Sequence, residues 1–212
     1  MELLVKALIG YLCGSVVGSL LLGRLRGVDI RGLGSGNPGG TNALRTQGPV
    51  FALGVVLVDV LKAVLPMLWL TPASLPGVPV NPDMDRELVA VAIGAGAVVG
   101  HVYPLWFGFR GGKGMATLLG AYAVLDPLML AVVVGTWVAV VALTGYVGLG
   151  TMIAAAAAPV WLAATGRVPG VLFTFTVIMA VFILYTHRSN IARMRAGVES
   201  RLWRGLLGGG SG

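Results

Sequence analysis

Charged side chains are scarce in this sequence. Its 212 residues include only fifteen Lys or Arg and eight Asp or Glu, which is 11% of the chain. A soluble domain has about 25% charged residues, whereas this chain is 57% hydrophobic with a mean hydropathy of +0.90. So few charges cannot cover a water-exposed surface. The composition excludes an ordinary soluble enzyme, a disordered regulator and a nucleic-acid-binding module, and it predicts an integral membrane protein.

Cysteine and histidine are also rare. The single Cys13 has no partner for an intrachain disulfide. Two histidines and a few scattered carboxylates do not supply a zinc ligand set, so we predict no metal and no cofactor. Trp106 and Ala192 stand five residues after His101 and His187, so neither histidine belongs to a His-x-x-x-x-Asp dyad. This argues against the acyl-coenzyme A type of glycerolipid acyltransferase, which is built on that dyad.

Long apolar runs, in contrast, are abundant. Crossing about 30 Å of hydrocarbon takes about 20 helical residues, and no stretch shows the alternation of an outer-membrane barrel. Six or seven segments qualify as helical spans, depending on whether the short fourth one is counted: Leu3–Leu22, Val50–Leu70, Leu88–Phe107, Met115–Leu125, Pro127–Val147, Leu149–Thr165 and Val168–Thr186.

The positions of the basic residues favour seven helices. Eleven of the fifteen lie in the first connection, the third connection and the C-terminal tail: Arg24, Arg26, Arg31, Arg45, Arg110, Lys113, Arg188, Arg193, Arg195, Arg201 and Arg204. Seven spans put all eleven on one face, and basic residues collect on the cytoplasmic side. We therefore predict an all-α polytopic membrane protein with an outside N-terminus and a cytoplasmic C-terminus. Residues 1–207 would form a single transmembrane domain, and 208–212 a flexible tail or cloning remnant.

The first connection is rich in glycine and in neutral hydrogen-bond donors. Residues 32–45 contain five glycines, whose backbone N–H groups can converge on an anion, and Arg45 adds a fixed bidentate charge. The candidate ligands here are Ser35, Gly36, Asn37, Thr41 and Asn42. A phosphate site is the favoured interpretation, and a turn-rich linker is the alternative.

A second polar stretch, residues 100–114, ends in Gly111-Gly112-Lys113-Gly114 directly before an apolar segment. A helix N-terminus preceded by glycines and a lysine is suited to phosphate. His101 alone is more often a structural histidine. A third stretch, residues 187–199, offers His187 and Asn190 as site candidates.

Asp59 and Lys62 lie three residues apart inside the second span. Charges within a membrane are functional candidates by default, but at this spacing they can also pair with each other. We favour a structural or orienting ion pair over a catalytic role.

Three stretches closely resemble, in order, the motifs of the bacterial acyl-phosphate-dependent glycerol-3-phosphate acyltransferases, the PlsY family. They are Ser35-Gly36-Asn37-Pro38-Gly39-Gly40-Thr41-Asn42; Gly100-His101, Pro104 and Phe109-Arg110-Gly111-Gly112-Lys113-Gly114 with Ala116-Thr117; and His187-Arg188, Asn190-Ile191, Arg193, Gly197 and Glu199. The resemblance covers essentially the whole chain. It implies a small seven-helix enzyme of the bacterial inner membrane that moves an acyl group from acyl phosphate to the 1-hydroxyl of glycerol 3-phosphate, giving lysophosphatidic acid and phosphate.

The resemblance also implies roles for individual residues. We expect the glycine loop with Lys113 to bind acyl phosphate, and Arg45, His187 and Asn190 to bind glycerol 3-phosphate. Further substrate-binding candidates are Gly36, Asn37, Thr41, Asn42, His101, Gly111, Gly112, Gly114, Arg188 and Thr151. The last of these stands near the loop where the family usually carries serines, so either the Thr151 hydroxyl takes over their role or a backbone contact replaces it. We expect a monomer with its active site on the cytoplasmic face, in contact with membrane lipid and not with nucleic acid.

Acyl phosphate is already activated, so direct attack by the substrate hydroxyl needs positioning and charge stabilisation above all. Either His187 or a substrate phosphate oxygen accepts the proton. Ser35 orients a phosphate or the hydroxyl, and an acylated Ser35 is the weaker alternative because it needs a neighbouring base. The rival classes are a transporter for a phosphorylated solute, a structural membrane subunit and an intramembrane Ser/His protease.

Overall fold

The structure, a computed structural model, describes residues 1–202, so the predicted tail at 208–212 lies outside the described residues. The chain forms two compact units, residues 1–127 and residues 128 onward. The helices are α1 Glu2–Gly14, α2 Gly18–Arg26, α3 Gly40–Gln47, α4 Pro49–Leu70, α5 Arg86–Val102, α6 Met115–Leu125, α7 Pro127–Thr144, α8 Val147–Ala164, α9 Val171–Thr186 and α10 Arg188–Arg195, with short 3-10 turns at Ile30–Gly32 and Leu105–Phe107.

Each of the seven predicted segments contains a helix, which confirms the all-helical class. Five stretches in the described part of the chain are long and apolar enough to cross a membrane: Glu2–Arg26, Pro49–Leu70, Arg86–Phe107, Pro127–Thr144 and Val147–Ala164. A sixth exists if α9 and α10, which are bent by 52°, count as one span, and α6 is a shorter apolar helix of 11 residues. The number seven and the orientation therefore stay predictions.

The first predicted span, Leu3–Leu22, is not one continuous helix. The α1 helix ends at Gly14, Val17 is extended, and α2 begins at Gly18. Lys62 donates to the Val16 carbonyl (2.9 Å) and Asp59 accepts the Gly18 N–H (3.0 Å). Backbone groups at membrane depth must find partners inside the protein, and α4 provides them at this break. The expected orienting ion pair thus has a definite structural task.

Glycines bring the backbones of α1 and α5 into direct contact. A Cβ on Gly10 or Gly14 would overlap the backbone at Ile93 or Ala97, and one on Gly100 would overlap the backbone at Tyr11. Small residues allow this close approach where lipid gives no hydrophobic drive for helix association. The close packing of Gly14 therefore lies within this unit.

The unit of residues 1–127 has two distinct ends. At one end Glu2 accepts hydrogen bonds from Lys6 and Arg86, both at 2.8 Å, and from the N–H of Asn81. At the other end lie the break in the first span and the two glycine-rich connections. Since α4 returns from Pro49 to the Lys6 side, where the Thr71 carbonyl accepts from Lys6, both polar connections fall on the same end of the unit.

The unit that begins at residue 128 is built from α7 to α10, with α8 and α9 packed together and α10 against both. The predicted segment Val168–Thr186 starts later than expected, because the helix begins only at Val171 after the extended Gly170. Gly148 at the start of α8 lies directly on the Asn190 side chain, so a Cβ there would strike the amide. The amide of Asn190 is thereby held at the start of α8.

Candidate functional site

Asn42 holds the first glycine-rich loop in shape. Its Oδ1 accepts the Ser35 N–H at 3.0 Å, while its Nδ2 donates to the carbonyls of Ile30 (3.2 Å) and Leu33 (3.0 Å). The side chain is 2% exposed. A Cβ on Gly34 would overlap Asn42 Oδ1, so glycine is needed there. Asn42, expected to bind substrate, uses its amide within the protein to fix the backbone beside Ser35.

A second anchor comes from the first span. Ser19 near the start of α2 donates to the Pro38 carbonyl at 2.8 Å, and both residues are buried. No sequence pattern singled out Ser19. Its only signal was a hydroxyl beside a glycine in an otherwise apolar run.

The other candidates of this loop lie near its surface. Ser35 is exposed, Asn37 and Thr41 are half-buried, and Arg45 is exposed on α3. Thr41 lies in the first turn of α3, where backbone N–H groups have no acceptor inside the helix. Thr41 thus offers a hydroxyl at the α3 N-terminus, which favours an anion, whereas Arg45 lies in the last turn of the helix.

The glycine loop folds back onto the end of α5. Gly111 donates its N–H to the Val102 carbonyl and Gly112 donates to the His101 carbonyl, both at 3.1 Å. These two N–H groups are therefore engaged within the protein. Gly114 has a φ of +94°, a left-handed conformation that favours glycine, and it caps α6. Lys113 stands half-buried just before that helix start, so a cation and the N-terminus of α6 occur together in this loop.

Arg31 and Arg24 join the two loop regions. Arg31 Nη1 donates to the Phe107 carbonyl at 3.3 Å, and Arg24 lies over the Phe107 ring, 4.7 Å from its centroid. Asp29 pairs with Arg31 at 2.6 Å, and this hydrogen-bonded guanidinium lowers the pKa of the Asp29 carboxyl below its usual value. Sequence patterns could not link these residues because 76 positions separate Arg31 from Phe107.

His101 is buried rather than open to a ligand. It is 2% exposed, and its Nδ1 lies 2.7 Å from Lys62 Nζ and 3.4 Å from Asp59 Oδ1. The side chain, expected to bind substrate, thus lies inside the charged cluster of α4, below the glycine loop.

In the second unit, His187 ends α9 and Asn190 lies on α10. His187 Nδ1 lies 2.8 Å from the Ile183 carbonyl. A carbonyl only accepts, so Nδ1 carries the proton and Nε2 is the basic nitrogen of the neutral ring. Asn190 Nδ2 donates to Glu199 at 2.7 Å, and Arg193 Nε donates to the other oxygen of Glu199 at 2.5 Å. The carboxylate thereby holds the Asn190 amide in one orientation.

Two further candidates of this unit have structural contacts. The hydroxyl of Thr151 donates to the Val147 carbonyl at 2.9 Å and accepts from Trp137 Nε1 at 3.3 Å. Arg188 is exposed, lies over the Tyr185 ring and donates to its carbonyl. Across residues 1–202, no cluster of three or more His, Cys, Asp or Glu that could hold a metal ion is found.

Comparison with known proteins decides the family. The family model of glycerol-3-phosphate acyltransferases matches residues 4–197. The chain belongs to this family. The glycerol-3-phosphate acyltransferase of Geobacter sulfurreducens is 40% identical over 200 residues, covering 94% of this chain and 97% of the relative. That of Sodalis glossinidius is 42% identical, covering 91% and 87%. The resemblance to the PlsY family is thus confirmed.

Solved structures agree with this assignment. A crystal structure of PlsY (YgiH), described as an integral membrane glycerol 3-phosphate acyltransferase in its glycerol 3-phosphate form, superposes with a TM-score of 0.82 at 30% identity. The match covers 95% of this chain and 96% of that one. A lysophosphatidic acid form of the same protein gives 0.81 at 29% identity, covering 98% and 100%. The present family member is an integral membrane protein, with five helical stretches in residues 1–202 that are long and apolar enough to cross a membrane.

Proposed function

We propose that this protein transfers a fatty acyl group from acyl phosphate to the 1-hydroxyl of sn-glycerol 3-phosphate, giving lysophosphatidic acid and inorganic phosphate. Family membership supports an acyltransferase that acts on glycerol 3-phosphate. The observation that carries the proposal is the joining of two glycine-rich loops at one end of one unit by Arg31 and Phe107. A reaction between two phosphorylated substrates needs two anion sites, and each loop ends at a helix N-terminus.

The reaction proceeds by direct transfer. The 1-hydroxyl oxygen attacks the acyl carbonyl carbon and forms the ester, the bond from that carbon to the phosphate oxygen breaks, and phosphate departs with its electron pair. Cations near the leaving phosphate stabilise the charge that develops on it; we assign this task to Lys113, and we assign Arg45 to the phosphate of glycerol 3-phosphate. The hydroxyl proton goes to His187 Nε2 or to a substrate phosphate oxygen. The hydrogen bond from His187 Nδ1–H to Ile183 supports the first acceptor, since it keeps Nε2 basic.

The remaining site residues fall into two groups: those we expect to contact a substrate, and those whose contacts lie within the protein. We assign substrate contacts to Ser35, Gly36, Asn37 and Thr41 in the first loop, to Gly114 in the second, and to Asn190 and Arg188. Asn42, Gly111, Gly112 and His101 support the loops through their own contacts. Thr151 supports α8 through its bonds to Val147 and Trp137.

The topology we propose has seven spans, with α6 as the short one, and a cytoplasmic C-terminus. The support is the segregation of basic residues, which collect on the cytoplasmic side of membrane proteins. The two glycine-rich loops then face the cytoplasm of a bacterial inner membrane, where a water-soluble phosphorylated substrate meets a lipid-borne acyl group. We expect the enzyme to act as a monomer.

The test is direct reconstitution. Purified protein in detergent or lipid is given acyl phosphate and glycerol 3-phosphate, and phosphate release and lysophosphatidate are measured. Turnover with acyl phosphate and none with acyl-coenzyme A is the expected result, and the reverse would refute the donor assignment. Trapping a hydroxylamine-sensitive acyl group on Ser35 would refute direct transfer and show that the reaction passes through a covalent acyl-enzyme.

Two single substitutions test the phosphate sites. Lys113→Ala and Arg45→Ala should each lower kcat/KM by at least 100-fold, while Arg195→Ala, which removes an exposed cation of α10, should stay within twofold. KM measured separately for the two substrates then decides whether Lys113 serves acyl phosphate, as the sequence predicts. Near-normal kcat/KM values in both Lys113→Ala and Arg45→Ala would refute the assignment of the phosphate sites.

A further inference from the structure

Three titratable side chains meet in the interior of the first unit without a place in the proposed chemistry. Asp59 and Lys62 come from α4 and His101 from the last turn of α5, and they are 1%, 8% and 2% exposed. Lys62 Nζ lies 2.9 Å from Asp59 Oδ1, 2.7 Å from His101 Nδ1 and 2.9 Å from the Val16 carbonyl.

With Lys62 as an ammonium group, donor counting assigns the hydrogen-bond roles in this cluster. An ammonium group has three donors and no acceptor, and Lys62 has these three acceptors around it. His101 Nδ1 must therefore accept, which places the ring hydrogen on Nε2 of a neutral imidazole. Asp59 Oδ1 also accepts the Gly18 N–H, whereas Asp59 Oδ2 has no hydrogen-bond partner in the part of the chain that the structure describes.

The cluster lies against the glycine loop. A Cβ on Gly112 would fall on the Nε2 edge of the His101 ring, so the loop backbone rests directly on the imidazole. Gly112 N–H also donates to the His101 carbonyl at 3.1 Å. Lys62 fixes the position of His101, and the His101 ring in turn fixes the position of the loop that carries Lys113.

The cluster also holds the first loop, through the break in the first span. Asp59 and Lys62 bind the backbone on both sides of Val17, where α2 begins. One residue further on, Ser19 donates to the Pro38 carbonyl within the first glycine-rich loop. A continuous chain of contacts therefore runs from one loop through the buried charges to the other.

Stability alone is a poor reason for such a cluster. Charges are costly at membrane depth, and an apolar replacement of a buried ion pair is often neutral or stabilising. We propose that Asp59, Lys62 and His101 are positioning residues that set the two glycine-rich loops at the mutual distance needed for acyl transfer. This inference rests on the proposed function of the two loops.

The first test compares two charge-removing double variants. Asp59→Asn/Lys62→Met keeps an acceptor for Gly18 and removes both charges together. Glu2→Gln/Lys6→Met removes the other buried ion pair of this unit, which lies at the opposite end and is 2% and 1% exposed. Both proteins are assayed below their unfolding midpoints. The proposal requires kcat/KM to fall at least tenfold in the first variant, with KM for a phosphorylated substrate raised, and to stay within twofold in the second.

The second test is a steric rescue that probes the contact between the glycine loop and His101. Gly112→Ala drives a methyl group into His101, and His101→Asn shortens that side chain while keeping an acceptor for Lys62. The double variant Gly112→Ala/His101→Asn should be at least fivefold more active than Gly112→Ala alone. This comparison remains decisive if the Asp59 and Lys62 variant does not fold.

Calorimetric binding of glycerol 3-phosphate to the same variants gives a readout that is independent of turnover. Wild-type protein without turnover on acyl phosphate would refute the proposed function. Three outcomes, each with normal wild-type turnover, would refute the positioning role and leave the proposed function intact. They are normal activity in the Asp59 and Lys62 variant, an equal loss of activity in the Glu2 and Lys6 variant, and no rescue of Gly112→Ala by His101→Asn.

Discussion

Asn42 offers the sharpest test of how the first glycine-rich loop is held. Its side chain makes three hydrogen bonds to backbone groups, at Ser35, Ile30 and Leu33, and it is buried. Asn42→Ala removes all three. Asn42→Asp keeps the acceptor for the Ser35 N–H but turns a carboxylate oxygen toward two carbonyls, so the nearly isosteric change should loosen the loop as much as alanine does.

The expected magnitude follows from the number of bonds. A hydrogen bond contributes about 0.5–1.5 kcal/mol net, so three bonds contribute about 3 kcal/mol to the ordered loop. With about 1.4 kcal/mol for each factor of ten, opening of the loop should become about 100-fold more frequent. The remaining anchor, from Ser19 to Pro38, should keep the loop from detaching altogether.

Amide hydrogen exchange of the ligand-free protein measures this opening at the Ser35 N–H. Asn42→Ala and Asn42→Asp should exchange about 100-fold faster there than wild type. Asn37→Ala removes the same type of side chain from the same loop and leaves the bonds of Asn42 in place, so it should change the rate less than threefold. An unchanged rate in both Asn42 variants would show that the amide does not brace the loop, and substrate contact would then be its role.

Three further outcomes are expected. Gly14→Ala should lower the free energy of unfolding by about 1–3 kcal/mol because its methyl group meets the α5 backbone. Gly135 on α7 has open space around it, so Gly135→Ala should raise the free energy of unfolding by about 0.5–1 kcal/mol. Thermal unfolding in detergent measures both changes. Thr151→Val should lower the free energy of unfolding by about 1–2 kcal/mol and leave the KM values of both substrates within twofold. Thr151→Ser should restore the lost stability. A selective rise in the KM for glycerol 3-phosphate would instead assign Thr151 to substrate binding. The pKa of Asp29 is lowered by its hydrogen bonds with Arg31, so the pair contributes stability above the ordinary carboxyl pKa of about 3.9 and loses it as pH falls through the lowered pKa. Carbon NMR of the carboxyl should show Asp29 titrating with a midpoint below that ordinary pKa.

Apolar length predicts the helical segments well, because a span of about 20 residues is a strong signal. The break in the first span was not predicted. Three residues, Ser15, Val16 and Val17, separate α1 from α2, and the groups that satisfy the freed backbone lie on α4, more than 40 positions away. A helix break that is satisfied from a distant element leaves no local pattern in the sequence.

The motifs located the loops but did not assign the tasks of their residues. Glycine-rich stretches indicated backbone N–H donors, yet the N–H groups of Gly111 and Gly112 bind the end of α5. The spacing of Asp59 and Lys62 predicted their pairing, and the structure bears it out at 2.9 Å. That His101 joins them was not visible, because a shared interior position depends on how α4 and α5 pack.

The few buried charged side chains of the first unit each hold part of the first span in place. Glu2 and Lys6 pair where the first span starts, and Asp59 and Lys62 pair where it breaks. Both pairs also bind backbone groups, the N–H of Asn81 and the carbonyl of Val16 among them. Because lipid leaves unpaired backbone groups without partners, such charges fix the first span at two depths along the unit. A segment held at its start and at its break delivers the following loop to a defined place, which is what a loop that binds phosphate requires.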